Sequence, residues 1–155
     1  MENRGILIAD KDTEFLRYVT DHFRTAGYQV ETTDSAVHVM CNILKKKIPV
    51  VLLGSDFDKK IGLVDMVQLL KKCNRHLAII YVADEAPLPL VRQIRQEGIF
   101  YHALRPVTVE DQEEIRQAVD CALKSVKQAE PMEEGFDTNR TEHNGGNHET
   151  NHDTL

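Results

Sequence analysis

The chain has 155 residues, 41% of them hydrophobic and 28% charged, with a net charge of -6. That is enough chain for one domain with a packed core, and no apolar run approaches the roughly 20 residues of a membrane-spanning helix. The charge is unevenly placed: residues 129–155 hold seven acids and one base, which leaves 18 acids and 18 bases in residues 1–128.

A neutral domain with an acidic tail has no basic footprint for nucleic acid. The opening MENRGILIAD lacks the charged n-region, apolar stretch and cleavage site of a signal peptide. Cys41, Cys73 and Cys121 are odd in number and widely spaced. They fit a reducing cytoplasm better than a disulfide framework. The expectation is therefore a cytoplasmic protein that binds neither nucleic acid nor membrane.

The first strand is expected at Gly5–Ala9, because Ile6, Leu7 and Ile8 form a continuous apolar run suited to burial on both faces. Asp12 suits an N-cap. Phe15, Leu16, Val19 and Phe23 follow at helical spacing, and Ala26-Gly27 ends that helix. Tyr28–Thr33 reads as a short second strand. Ser35 caps a second helix with Val39, Met40, Ile43 and Leu44 on one face. Lys45–Lys47 at its end oppose the negative pole of the helix dipole.

Pro49 opens a third strand at Val50–Leu53, followed by a polar loop, Gly54–Ile61. Gly62 leads into a helix bearing Leu63, Met66, Val67, Leu69 and Leu70. The fourth strand is expected at Leu77–Ala83. Pro87 and Pro89 precede a stripe of Leu90, Val91 and Ile94 that ends at Gly98. The fifth strand is expected at about Ile99–Leu104. After Arg105-Pro106 comes a last helix with Ile115, Val119, Ala122, Leu123 and Val126 inward, started by a capping-box-like Thr108 and Asp111.

Strands alternating with helices imply βαβ units and right-handed crossovers. The expected fold class is α/β: a doubly wound five-stranded parallel sheet flanked by five helices. The expected domain is 1–128. Residues 129–155 are poor in large apolar groups and are expected to be a disordered acidic tail, rich in His and Asn. His143, His148 and His152 match no firm metal template. Functional groups in such sheets gather at the C-terminal strand ends, here Ala9–Asp12, Gly54–Asp58, Ala83–Glu85 and Arg105-Pro106.

Three stretches carry a resemblance. They are ILIADKDTEFLRYVTDHFRTAGYQVETTDSA, PVVLLGSDFDKKIGLVDMVQLL and QEGIFYHALRP. In that order, they resemble the receiver domain of bacterial response regulators, the two-component signalling proteins with a flavodoxin-like fold. The similarity covers roughly residues 4–126. It implies acids after strand one that hold magnesium, a phospho-acceptor aspartate after strand three, a hydroxyl after strand four and a lysine after strand five.

The sequence departs from that set. Asp10 matches the first acid, but Lys11 stands where the second should be. The acceptor position falls on Gly54, counting back eight from Gly62, or on Ser55 in an ungapped count from Pro49. Neither is a carboxylate, and glycine has no nucleophile. The hydroxyl position falls on Ala83, and the lysine is replaced by Arg105. The expectation is a degenerate phosphorylation site, a pseudo-receiver at Asp10, Lys11, Gly54, Ala83 and Arg105. In it Arg105 or Lys11 pairs with Asp10, since a buried lone carboxylate is costly. Asp10 and Asp12 remain weak metal candidates, and no cofactor is expected, magnesium included. The resemblance also implies a cis Arg105–Pro106 bond.

Three functions compete. The first is a stand-alone pseudo-receiver acting as a phosphorylation-independent protein–protein interaction module, not an enzyme. The resemblance places its partner, a protein in bacterial signalling, on a face with Val91, Arg95, Tyr101, His102, Gln112 and Arg116. A homodimer is also open. His102 takes the place of the family's switch aromatic and is a candidate pH-sensitive group or an ordinary half-buried histidine. The second function is a phosphorelay receiver modified on Asp56 or Asp58. The third is a small flavodoxin-like ligand-binding domain, for which no phosphate-cradling or nucleophile-elbow motif is present.

Overall fold

A computed structural model describes residues 5–45, 48–55, 57, 60–84 and 87–126. The elements run β1 Gly5–Ala9, α1 Thr13–Thr25, β2 Gln29–Thr33, α2 Ala36–Leu44, β3 Val50–Gly54, α3 Leu63–Cys73, β4 Ala78–Ala83, α4 Leu88–Glu97 and β5 Tyr101–Leu104. A last helix, α5, occupies 109–126. The five strands form one sheet in the order β2-β1-β3-β4-β5, and every pairing is parallel.

The apolar runs sit where burial is two-sided. Every residue of β1, β3 and β4 is buried. The edge strands β2 and β5 are largely exposed. One side chain set of the sheet (Ile6, Ile8, Val50, Leu52, Ile80, Val82) packs with Phe15, Val19 and Phe23 of α1 and Ile115, Val119 and Ala122 of α5. The alternate set (Leu7, Val51, Leu53, Ile79) packs with Val39 and Ile43 of α2 and Met66, Val67 and Leu70 of α3. A smaller cluster joins Tyr81 and Ala83 to Ile94 of α4. The period-2 alternation of the strands thus distributes helices to both faces.

The caps expected from sequence are formed. Asp12 accepts from the backbone N–H of Glu14 and Phe15, and Ser35 from that of His38. At α5, Asp111 N–H donates to the Thr108 hydroxyl at 3.2 Å, and Thr108 N–H donates back to the Asp111 carboxylate at 3.0 Å. That reciprocal pair satisfies two donors at once. α4 ends at Gly98 with φ 107°, a left-handed conformation that favours glycine.

Four strand bounds differ from expectation. β2 begins at Gln29 and not Tyr28, β3 ends at Gly54 and not Leu53, β4 begins at Ala78 and not Leu77, and β5 begins at Tyr101 and not Ile99. Phe100 N–H still bonds Ile79 O at 2.8 Å, so the chain reaches the sheet one residue before the ladder proper. No cis peptide bond occurs among the described residues, so the Arg105–Pro106 bond is trans, against the expectation drawn from the resemblance. Asp56, Asp58 and the tail 129–155, with His143, His148 and His152, lie outside the described residues.

Candidate functional site

The C-terminal ends of β1, β3, β4 and β5 bring Asp10, Gly54, Ala83 and Arg105 to one place. Register fixes this: Ala9 pairs with Leu53, Gly54 with Val82, and Ala83 with Leu104. The residues just beyond each strand then share one end of the sheet.

Asp10 is fully buried. One carboxylate oxygen accepts the backbone N–H of Lys11 at 2.6 Å and of Asp12 at 3.1 Å. The other accepts a guanidinium N–H of Arg105 at 3.1 Å. The expected ion pair of Asp10 is therefore formed, and its partner is Arg105. Lys11 contributes its backbone N–H, while the residue as a whole is exposed.

Arg105 does more than neutralise one acid. Its guanidinium lies 3.4 Å from Asp12 and 3.4 Å from Asp84. It also sits 4.5 Å above the Phe15 ring centroid, within cation–π range. Its side chain is only 14% exposed. A planar, permanently charged fork presents five donors in fixed directions and a face that stacks on an aromatic ring, so it serves several carboxylates and Phe15 together. Asp84 and Phe15 escaped the sequence reading, because their convergence on Arg105 depends on loop and helix placement.

Gly54 is required by close approach. A Cβ built on it would overlap the Asp10 carboxylate oxygen and Cγ. Asp10 could yield only by breaking its bonds to Arg105 and to two backbone amides. The space beside the β3 end is thus taken by the Asp10 carboxylate. Ala83 is buried and has no polar side-chain atom. Ser55 is exposed, with its N–H bonded to Val82 O. A shallow cavity of about 240 Å³ lies next to this point, between Leu53, Gly54, Phe57, Ile61, Leu63 and Met66. It falls below the roughly 300–1,000 Å³ usual for small-molecule pockets. Among the described residues no cluster of three or more His, Cys, Asp and Glu is arranged to hold a metal ion.

No family model and no curated protein matches the chain. Solved structures do. A response regulator receiver domain protein from Methanospirillum hungatei superposes with a TM-score of 0.67 at 22% identity, covering 78% of this chain and 97% of its own. A receiver domain protein from Clostridium thermocellum gives 0.68 at 23%, covering 80% and 97%. The signal receiver domain of a Luxo repressor protein from Vibrio parahaemolyticus gives 0.73 at 13%, covering 84% and 98%. The chain has the receiver fold. At these identities the likeness concerns the backbone and says nothing of the chemistry at the strand ends.

Within the receiver fold, the face expected to bind a partner is partly redrawn. Tyr101 and Arg95 are exposed, and Val91 and His102 are half-buried. Gln112 is not on the surface. It is 5% exposed, because positions 112, 115, 119 and 122 form the inward stripe of α5. Arg116 is turned to the α1 side. It bonds Glu113 at 2.8 Å and Asp120 at 3.1 Å, and those acids bond His22 and the Tyr28 hydroxyl. Exposed apolar side chains stand instead at Leu88 where α4 starts (58%), at Leu104 where β5 ends (63%), and at Val107 and Val109 around the start of α5 (81% and 68%).

His102 pairs in register with Tyr81, and the two rings stack with centroids 5.5 Å apart and an interplanar angle of 22°. The ring on β5 thus has an aromatic neighbour on β4, which the sequence reading missed because Tyr81 sits inside a continuous apolar run. Its Nε2 is buried without a hydrogen-bond partner among the described residues. Burial, and secondarily the Arg95 charge, lowers its pKa below the ordinary 6.5.

Two outcomes are expected. Arg105→Ala leaves Asp10 buried and uncompensated, and urea unfolding near neutral pH should show a loss of about 3–5 kcal/mol. The double change Asp10→Asn with Arg105→Met should recover most of it, and a single-variant loss under about 1 kcal/mol would contradict the pairing. For His102, an NMR titration should give a midpoint below 6.5. With its folded pKa depressed, its stabilising contribution is present above 6.5 and is lost as pH falls through the folded midpoint. A midpoint above 6.5 would contradict the packing described.

Proposed function

We propose that this chain is a pseudo-receiver of the two-component signalling type, a protein-binding module that works without phosphorylation. The observation that supports it best is the Arg105 guanidinium bonded to the buried Asp10, whose carboxylate fills the place where a Gly54 side chain would start. Phosphoryl transfer depends on positioned oxygens, a metal ion and charge neutralisation. Here the Asp10 oxygens are already engaged, Gly54 offers no nucleophile, and Ala83 offers no hydroxyl.

Magnesium does not suit these residues. It demands tight octahedral oxygen coordination. At this site a guanidinium occupies the approach to Asp10 and Asp12. The reading is accordingly of a module without magnesium or another cofactor and without enzymatic activity. Asp10, Lys11, Gly54, Ala83 and Arg105 are the relic of the site. Its setting is the cytoplasm, and its partner is a protein of bacterial signalling.

The partner surface lies on α4, β5 and the turn into α5. Val91, Arg95, Tyr101 and His102 belong to it, joined by Leu88, Leu104, Val107 and Val109. Exposed apolar groups rimmed by polar ones are a mark of interaction sites. Tyr101 is anchored there by a 2.7 Å bond from its hydroxyl to Glu114, so part of the ordering cost of an aromatic contact is met before binding.

The test is direct. The full chain is incubated with magnesium and acetyl phosphate, and intact mass is measured. No phosphate adduct is expected. A stoichiometric, base-labile adduct, mapped to Asp56 or Asp58, would overturn the proposal in favour of a residual phosphorelay receiver.

A further inference from the structure

The end of the sheet opposite Asp10 carries a second cavity. It is about 280 Å³ and is lined by Lys71, Arg75, His76 and Leu77 before β4, by Gly98, Ile99 and Phe100 before β5, and by Ser125 and Val126 at the end of α5. Its polar side is basic, and no acid lines it among the described residues. Its apolar side includes Phe100, which is 40% exposed. The volume is below the usual range for small-molecule pockets and suits one or two side chains.

The basic wall is built, not incidental. The Lys71 ammonium donates to the Arg75 carbonyl at 2.8 Å and to the Leu77 carbonyl at 3.0 Å. Burial lowers the Lys71 pKa from its ordinary value, and a carboxylate brought beside it would favour its charged form. Arg75 is exposed, and its Nε donates to His76 Nε2 at 3.4 Å. Lys71 also lies against Gly98: a Cβ there would come within 3.3 Å of Lys71 Cε. The left-handed turn at Gly98 and the Lys71 side chain are thus packed together in the cavity lining.

The chain leaves the described domain at this spot, since Val126 is itself part of the lining. The segment that follows supplies the complementary chemistry. Residues 130–137 read EPMEEGFD, with Glu130, Glu133, Glu134 and Asp137, two large apolar side chains in Met132 and Phe136, and no base. Six extended residues reach at most about 20 Å, so Met132 can fold back to a cavity that begins at Val126. The second contact is intramolecular, which makes a weak individual affinity sufficient.

We propose that residues 130–137 dock on this basic cavity, with Met132 or Phe136 against Leu77, Ile99 and Phe100 and the glutamates on Lys71 and Arg75. The tail then covers the end of the sheet opposite Asp10, at the segment that joins α4 to β5.

The test is paramagnetic relaxation in the full chain. A nitroxide is attached at Thr138→Cys, with the native thiols removed as Cys41→Ser, Cys73→Ala and Cys121→Ser. The amides of Arg75, His76, Ala78, Ile99 and Phe100 should lose most of their intensity relative to the reduced label. Arg75→Glu, or the milder Arg75→Gln, should restore them. Glu133→Lys with Glu134→Lys in the Arg75→Glu chain should bring the broadening back. Weak broadening spread over the whole surface, broadening centred on α4 and β5, or broadening unchanged by Arg75→Glu would each overturn the proposal. So would broadening in a mixture of spin-labelled unlabelled-isotope chains with ¹⁵N chains that carry no spin label, because the occupant would then be a second copy.

Discussion

A carboxylate with no exposure to water governs this molecule. Asp10 lies just after the interior strand β1, which is flanked by β2 and β3. An isolated charge there would cost several kcal/mol, so the surroundings must answer it. Two backbone amides and the Arg105 guanidinium do so. The consequences spread outward. Arg105 must cross from the β5 end to the β1 end, and it lies over Phe15 and between Asp12 and Asp84. Gly54 must lack a side chain, because the Asp10 carboxylate fills the place where one would start.

This arrangement ties four segments of the sheet together at one end. Asp12 both caps α1 and faces Arg105, so the start of α1 is coupled to the turn after β5. The arrangement is self-sufficient: every strong acceptor on Asp10 already has a donor within the chain. A carboxylate answered internally has, under the proposed reading, little to gain from an added cation or phosphoryl group at that point. Under the proposed reading, what the fold offers is a rigid scaffold with an apolar and aromatic surface on α4 and β5.

Much of the fold was legible in the sequence for a simple reason. Strands β1, β3 and β4 are buried on both faces, so they appear as unbroken apolar runs such as Gly5–Ala9 and Val50–Leu53. The caps at Asp12, Ser35 and Thr108 are local and need no tertiary knowledge. The Asp10–Arg105 pair was legible as a charge argument, although its extension to Asp84 and Phe15 was not, since those contacts join distant elements. Gln112 was misplaced because polarity suggested surface, whereas its position on the α5 stripe put it inside. Arg116 was misplaced for a related reason: one helical step rotates it toward α1, where Glu113 and Asp120 hold it. Tyr81 was overlooked because an aromatic in an apolar run looks like core, and only the register reveals His102 stacked on it.

Under the proposed reading, the Arg105 guanidinium occupies the place a magnesium ion would need. A magnesium titration of the full chain at constant ionic strength, followed by backbone amide NMR, tests it most directly. No saturable shift is expected at Asp10, Lys11, Asp12, Gly54 or Arg105. A saturable shift centred on Asp10 and Asp12, with loss of the Arg105 contact, would contradict it.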